Sequence, residues 1–362
     1  MSNRAEPLTP ETVMAALSKV QDPELDKDLV SLGMIKDLSV DDGRVAFTIE
    51  LTTPACPLKT KIEADARHAV ETLAGVSQVE INMSSSVPSD RRVRSLSQQL
   101  IRNAVAVASG KGGVGKTTVA VNVAVVLAKS GARVGLMDAD IYGPNVPTMM
   151  GVESMPAPKG DKLVPAEAYG VRIMSIGFLV QPGQPLIWRG PMLHSAIGQF
   201  ITDVDWGELD YLIVDLPPGT GDVQLSLTQL MPLTGGLIVT LPQKVSIEDA
   251  RRGLEMFRKL EVPILGVVEN MSYLELPDGD LMDIFGQGGG EQLAREAGVP
   301  FIGAIPIDPH VREGGDAGIP IVVSHPDGTV AKALTSIAQD LAAKISLHAM
   351  GQSGNIPIEI VD

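Results

Sequence analysis

Residues 109–118 read SGKGGVGKTT, and the reading of these ten positions decides the fold. Gly110 to Thr117 satisfies the pattern G-x-x-x-x-G-K-S/T. The apolar run AVAVAS (104–109) precedes it, and TTVAVNVAVVLAKS (117–130), with the composition of a helix, follows. A strand, a glycine-rich loop and a helix in this order form a phosphate cradle. The glycines let backbone N–H groups turn inward around phosphate oxygens, and the helix N-terminus adds a favourable dipole. The expected nucleotide-binding set is Gly110, Lys111, Gly112, Gly113, Val114, Gly115, Lys116, Thr117 and Thr118. Within it Lys116 reaches the β- and γ-phosphates as a catalytic cation, and the Thr117 hydroxyl ligates Mg²⁺. One lysine suffices for a bound phosphate, so Lys111 requires a separate explanation.

Outward from the loop, apolar strand-like runs alternate with helical segments: RVGLMDAD (133–140), YLIVDLPPG (211–219), GGLIVTLP (235–242), VPILGVVENM (262–271) and PFIGAIPID (300–308). Near-continuous apolar runs belong to strands covered on both faces. The expected fold is therefore α/β, a P-loop NTPase with a mostly parallel sheet and helices on both faces, over residues 101–348. Its last helix is expected over 328–346, with a flexible tail over 349–362. Upstream, PETVMAALSKV (10–20) reads as a helix. GMIKDLSV (33–40) and RVAFTIELT (44–52) read as a hairpin around Asp42-Gly43. KTKIEADARHAVETLAG (59–75) reads as a second helix and VSQVEINM (76–83) as a last strand. These make a small α+β domain over 8–83. The Ser-rich stretch from 84 to 100 reads as a linker, with Arg91, Arg92, Arg94 and Arg102 in solvent.

Two acidic motifs complete the phosphate chemistry. In DLPPGTGD (215–222), Asp215 ends an apolar strand and is expected on the Mg²⁺ side of the site. In MDADIYGPN (137–145), Asp140 is the candidate that orients or deprotonates the attacking water, and Asp138 is a further candidate metal-side acid. The net charge of −15 opposes broad binding to nucleic acid or anionic lipid. No apolar run has membrane-spanning length and the N-terminus lacks the apolar core of a signal peptide, so a cytoplasmic protein is expected. Cys56 is the only cysteine, which excludes an intrachain disulfide. The five histidines show no metal spacing. FGQGGG (285–290) follows no strand directly and reads as a turn into a helix.

With Lys111 included, the loop reads K-G-G-x-G-K-T, the deviant Walker A pattern, and resembles the ParA/MinD and nitrogenase-iron-protein group of ATPases. That resemblance implies a homodimer in which Lys111 reaches the partner's nucleotide, a cation delivered in trans to the transferring phosphoryl. GLMDADIYGPNVPTMMG (135–151), LIWRGPML (186–193), DYLIVDLPPGTGDVQLSL (210–227), VENMSY (268–273) and DIFGQGGG (283–290) narrow it to the Mrp/ApbC branch of iron–sulfur cluster carrier ATPases. VQDPEL (20–25), LGMIKDL (32–38) and LTTPACPL (51–58) resemble the small domain of metal–sulfur cluster biosynthesis proteins. The resemblance implies ATP hydrolysis, a 4Fe–4S cluster as cargo, and apoprotein clients and assembly factors as partners. It also implies Asn270 as the base contact. In one place the chain departs from the pattern: the branch usually carries a C-x-x-C after ENMSY, and here YLELPDGDLMDIFG (273–286) has no cysteine. A cluster then falls to Cys56, whose thiol is flanked by Pro54 and Pro57. Two alternatives stay open: a nucleotide-gated assembly switch without its own cluster, and a ParA/MinD-like positioning ATPase.

Overall fold

The structure, a computed structural model, describes residues 7–23, 27–96, 100–141, 143–179, 190–276 and 278–353. The chain divides into two compact units, Met1–Pro88 and Ser89–Asp362.

In the first unit the helix Pro10–Leu17 opens with a reciprocal cap, in which the Thr9 and Thr12 hydroxyls each accept from the other's backbone N–H. Short strands β1 (Gln21–Asp22) and β2 (Lys27–Asp28) pair antiparallel. β3 (Ile35–Asp41) and β4 (Arg44–Leu51) form the expected hairpin, with positive φ at Asp42 and Gly43. The helix Lys59–Glu71 then crosses over and returns the chain as β5 (Gln78–Ser85), parallel to β4. On β4 the buried residues are Val45, Phe47, Ile49 and Leu51, every second position, so one face covers the core. Leu17, Ile62 and Val70 from the two helices close that core.

The second unit holds an eight-stranded sheet in the order β15-β12-β11-β6-β10-β7-β9-β8. Its strands are β6 (Ala104–Ser109), β7 (Val134–Asp138), β8 (Ala166–Ala168), β9 (Val171–Ser175), β10 (Tyr211–Asp215), β11 (Gly235–Thr240), β12 (Ile264–Glu269) and β15 (Phe301–Ala304). The minor hairpin β13 (Leu274–Glu275) and β14 (Leu281–Met282) lies outside it. All pairings in the large sheet are parallel except that of β8 with β9. Every residue of β6, β7, β10 and β11 is buried, as strands covered on both faces require. Because β6 lies between β10 and β11, its loop opens at the carboxyl end of the sheet, beside the ends of β7, β10 and β12.

Three expectations change. The stretch expected as a linker over 84–100 contains a helix, Arg91–Leu96, that belongs to the second unit. Val93 is fully buried in that unit's core, Arg92 pairs with the buried Asp90 at 2.9 Å, and Arg102 pairs with Asp210. These arginines therefore anchor rather than float, since a buried carboxylate demands a partner. The final helix runs to Ser353, past the expected 346, and Ala349 within it is buried; residues 354–362 lie outside the described residues. Finally, the antiparallel edge hairpin β8–β9 was not anticipated. The segment LIWRGPML falls largely outside the described residues.

Candidate nucleotide site

The loop from Gly110 to Gly115 turns at the end of β6 with φ of 79° at Gly113 and 81° at Gly115, a left-handed region that only glycine enters freely. Gly110 is needed for a second reason: a Cβ there would lie 2.1 Å from the backbone of Asp249. The helix Lys116–Lys129 begins immediately, so its first N–H groups face the loop.

Lys116, 6% exposed, places Nζ 2.6 Å from Asp215 Oδ1 and 3.5 Å from Asp140 Oδ2. Thr117 Oγ1 donates to Asp215 Oδ2 at 2.7 Å. Burial pushes the Asp215 carboxyl above its usual range, against the pull of Lys116. Asp140 Oδ1 is buried and has no hydrogen-bond partner among the described residues. An ammonium, a hydroxyl and two carboxylates, one with an unspent oxygen, suit a phosphate and a hard cation. Asn270 leaves the end of β12, and its Nδ2 donates to Val114 O at 2.8 Å. The side chain thus braces the loop and still borders the cavity.

Asp138 departs from expectation. Its Oδ1 accepts from Asp140 N, and its Oδ2 accepts from Val146 N and from Ser175 Oγ at 2.8 Å. Desolvation, reinforced by the Asp215 charge, pushes its carboxyl up to about 8. It holds the segment carrying Asp140 and does not line the cavity. Lys111 does line it, and its side chain makes no ion pair with any described residue. Cys56 lies in the first unit, half-buried against that unit's core; Lys59 and Lys61 are exposed. Among the described residues no group of three or more His, Cys, Asp or Glu side chains is placed to hold a metal ion.

The cavity measures about 640 Å³. Much of its wall was missed in sequence: Thr148 and Met149, and Ile305 to Asp308, Val311 and Arg312. A cue was available in IDPH (307–310), where Asp308 caps the helix Pro309–Ala317 by accepting from His310 N at 2.9 Å.

FGQGGG also has a definite place. Glu269, 1% exposed, accepts from Gly288 N at 3.0 Å, from Gly290 N at 2.6 Å and from Ser272 Oγ at 2.5 Å. The N-terminus of the helix Gly289–Ala297 is therefore already occupied by a carboxylate and is not a phosphate site. Glu269→Ala would orphan the buried Gly290 N–H and Ser272 hydroxyl and the half-buried Gly288 N–H. Its expected cost is about 2–4 kcal/mol of unfolding free energy, to be read from denaturant unfolding monitored on the full chain.

Comparison with known proteins agrees with this geometry. The profile of NUBPL iron-transfer P-loop NTPases matches residues 100–342, about two-thirds of the chain. The chain belongs to this family. A second profile, that of iron–sulfur cluster assembly proteins, matches residues 10–82. Relatives of this iron-transfer NTPase include the iron-sulfur cluster carrier protein of Synechocystis sp., 53% identical over 354 residues, 95% of this chain and 99% of its own. That of Deinococcus radiodurans is 51% identical over 345 residues, covering 94% and 97%. Among solved structures, a nucleotide-binding protein from Archaeoglobus fulgidus in complex with ADP is 36% identical, with a TM-score of 0.57 over 67% of this chain and 95% of that one. The cell division ATPase MinD of Pyrococcus furiosus, 24% identical with a TM-score of 0.50, shares the fold over 66% of this chain and 98% of its own.

Proposed function

We propose that the chain is a Mg²⁺-dependent ATPase that works as a cytoplasmic homodimer, takes iron–sulfur clusters from assembly factors and delivers them to apoproteins. The observation that carries the ATPase reading is the convergence of Lys116, Thr117, Asp140 and Asp215 at the mouth of the Gly110–Thr117 loop. On ATP entry the Lys116 ammonium turns from the carboxylates to the β- and γ-phosphates. Thr117 Oγ1 and Asp215 would hold Mg²⁺, which supplies neutralisation of charge on the phosphate oxygens. Asp140 orients the attacking water through the carboxylate oxygen that no described residue occupies, and receives its proton. Asn270 keeps the loop in place with one amide hydrogen, leaving its Oδ1 and second hydrogen for the edge of the base. Lys111 waits for the partner's nucleotide.

The names of the relatives and the matched profiles support the carrier role. The cluster is cargo, and the chain offers it one thiol. Where the branch carries its cysteine pair, this chain has a turn between β13 and β14, in which Leu276 N donates to Asp280 O and Gly279 N to Leu276 O. Hard aspartate oxygens there are poor ligands for iron–sulfur iron. Two Cys56 thiolates per dimer bridge a cluster with further thiols from a small-molecule thiol or the client. Anaerobic reconstitution with iron, sulfide and a thiol co-ligand is expected to give the wild type a labile visible chromophore and to give Cys56→Ser none. A full cluster on Cys56→Ser would remove Cys56 from the role. No iron uptake by the wild type, even with an apoprotein present, would favour the assembly switch without a cluster.

A further inference from the structure

The unanticipated hairpin β8–β9 turns at Tyr169-Gly170, two successive residues with positive φ, 52° and 77°. A two-residue turn of this kind favours Asn, Asp or Gly; a tyrosine there is held against its own backbone preference. Its hydroxyl shows what holds it. Tyr169 Oη donates to Gly318 O at 2.7 Å. Gly318 is the left-handed cap, φ 72°, that ends the helix Pro309–Ala317. It rests directly on Gly151, which follows the short helix Val146–Met149: a Cβ at Gly318 would fall 2.4 Å from Gly151 Cα. These two helices pack against each other, a Cβ on Gly315 meeting the Met149 methyl at 3.6 Å, and together they supply Thr148, Met149, Val311 and Arg312 to the cavity lining. The turn itself packs toward the helix that follows the phosphate loop, where a Cβ on Gly170 would meet Ala128 Cβ at 3.6 Å.

We propose that Tyr169 is a positioning residue for the nucleoside part of the ligand: its hydroxyl fixes the Gly318–Gly151 contact and so sets how the two abutting helices present their lining residues to the cavity beyond the phosphate loop. This rests on the reading of the cavity as the nucleotide site. Neither Tyr169 nor Gly318 lines the cavity or hydrogen-bonds to the phosphate loop or its acids, so the effect assigned to them falls on base and ribose and not on phosphate. Strain at Tyr169 is tolerated because the hydroxyl contact over-determines it, the pattern of functional backbone strain.

The test uses the full chain, wild type and Tyr169→Phe, with magnesium present. The KM for ATP is expected to rise by ~3- to 10-fold, the effect of one lost hydrogen bond, with kcat within about twofold of wild type. Inhibition by tripolyphosphate, which carries the phosphates without base or ribose, is expected to be equal for the two proteins. An unchanged KM would overturn the proposal. So would a parallel weakening of ATP and tripolyphosphate, because that marks a general loosening of the unit. A wild type that neither hydrolyses ATP nor binds it would instead fell the nucleotide reading itself, a result visible before any variant is made.

Discussion

Lys111→Ala is expected to bind ATP within about threefold of wild type and to lose about a hundredfold or more of its turnover, the scale of a charge delivered in trans to a transferring phosphoryl group. Lys111 borders the cavity yet pairs with no described carboxylate, whereas Lys116 is engaged by two. A cation without a local partner costs the resting site little when removed, so binding survives. Its value appears when charge builds on the γ-phosphoryl in a closed dimer. The distinguishing experiment mixes Lys111→Ala with Asp140→Asn, each inactive alone. One composite site of the mixed dimer then receives an intact acid from one subunit and an intact lysine from the other, and turnover is expected to return in part. Absence of recovery in subunits shown to exchange would place Lys111 in cis.

Lys116→Ala is expected to weaken ATP binding by at least tenfold, about 1.4 kcal/mol. Lys116 Nζ is the counter-charge of Asp215, which is fully buried, and lies within reach of Asp140. Its removal takes away the positive charge that meets the phosphates and leaves two acids facing them. The loss therefore combines a missing attraction with an uncompensated repulsion. Calorimetry with Mg²⁺-ATP on the full chain measures it. Equal affinity in variant and wild type would show that the Gly110–Thr117 loop does not bind phosphate.

The geometry of the glycine-rich loop was legible because its requirements are local. Gly113 and Gly115 must enter the left-handed region, Lys116 and Thr117 must open a helix, and Asp215 must end a buried strand; each is a statement about neighbours in sequence. The same holds for the parallel strands, whose unbroken apolar runs announce burial on both faces, and for the β3–β4 hairpin, announced by Asp42-Gly43. The rest of the cavity wall was not legible, since Thr148, Ile307 and Val311 are drawn together only by the tertiary fold and carry no pattern among themselves.

Charge in sequence was the least reliable guide. Arg91, Arg92, Arg94 and Arg102 look like a solvated basic run, but Arg92 answers the buried Asp90, more than a local pattern can reveal. Asp138 and Asp140 stand two residues apart with the same side chain. Only the arrival of Ser175 from β9 and Val146 N from the following helix occupies the first, while the second keeps a buried oxygen with no hydrogen-bond partner among the described residues. In the same way FGQGGG reads in sequence as a turn into a helix, and only the structure supplies the Glu269 carboxylate that accepts from its N–H groups. Sequence by itself thus determined the phosphate loop, the fold class and the absence of a cysteine pair, because backbone conformation, burial period and covalent composition are properties of the chain alone. Tertiary structure decided which acids are spent and which remain available, because a carboxylate's role depends on the donors that surround it, and those come from strands and helices far away in the chain.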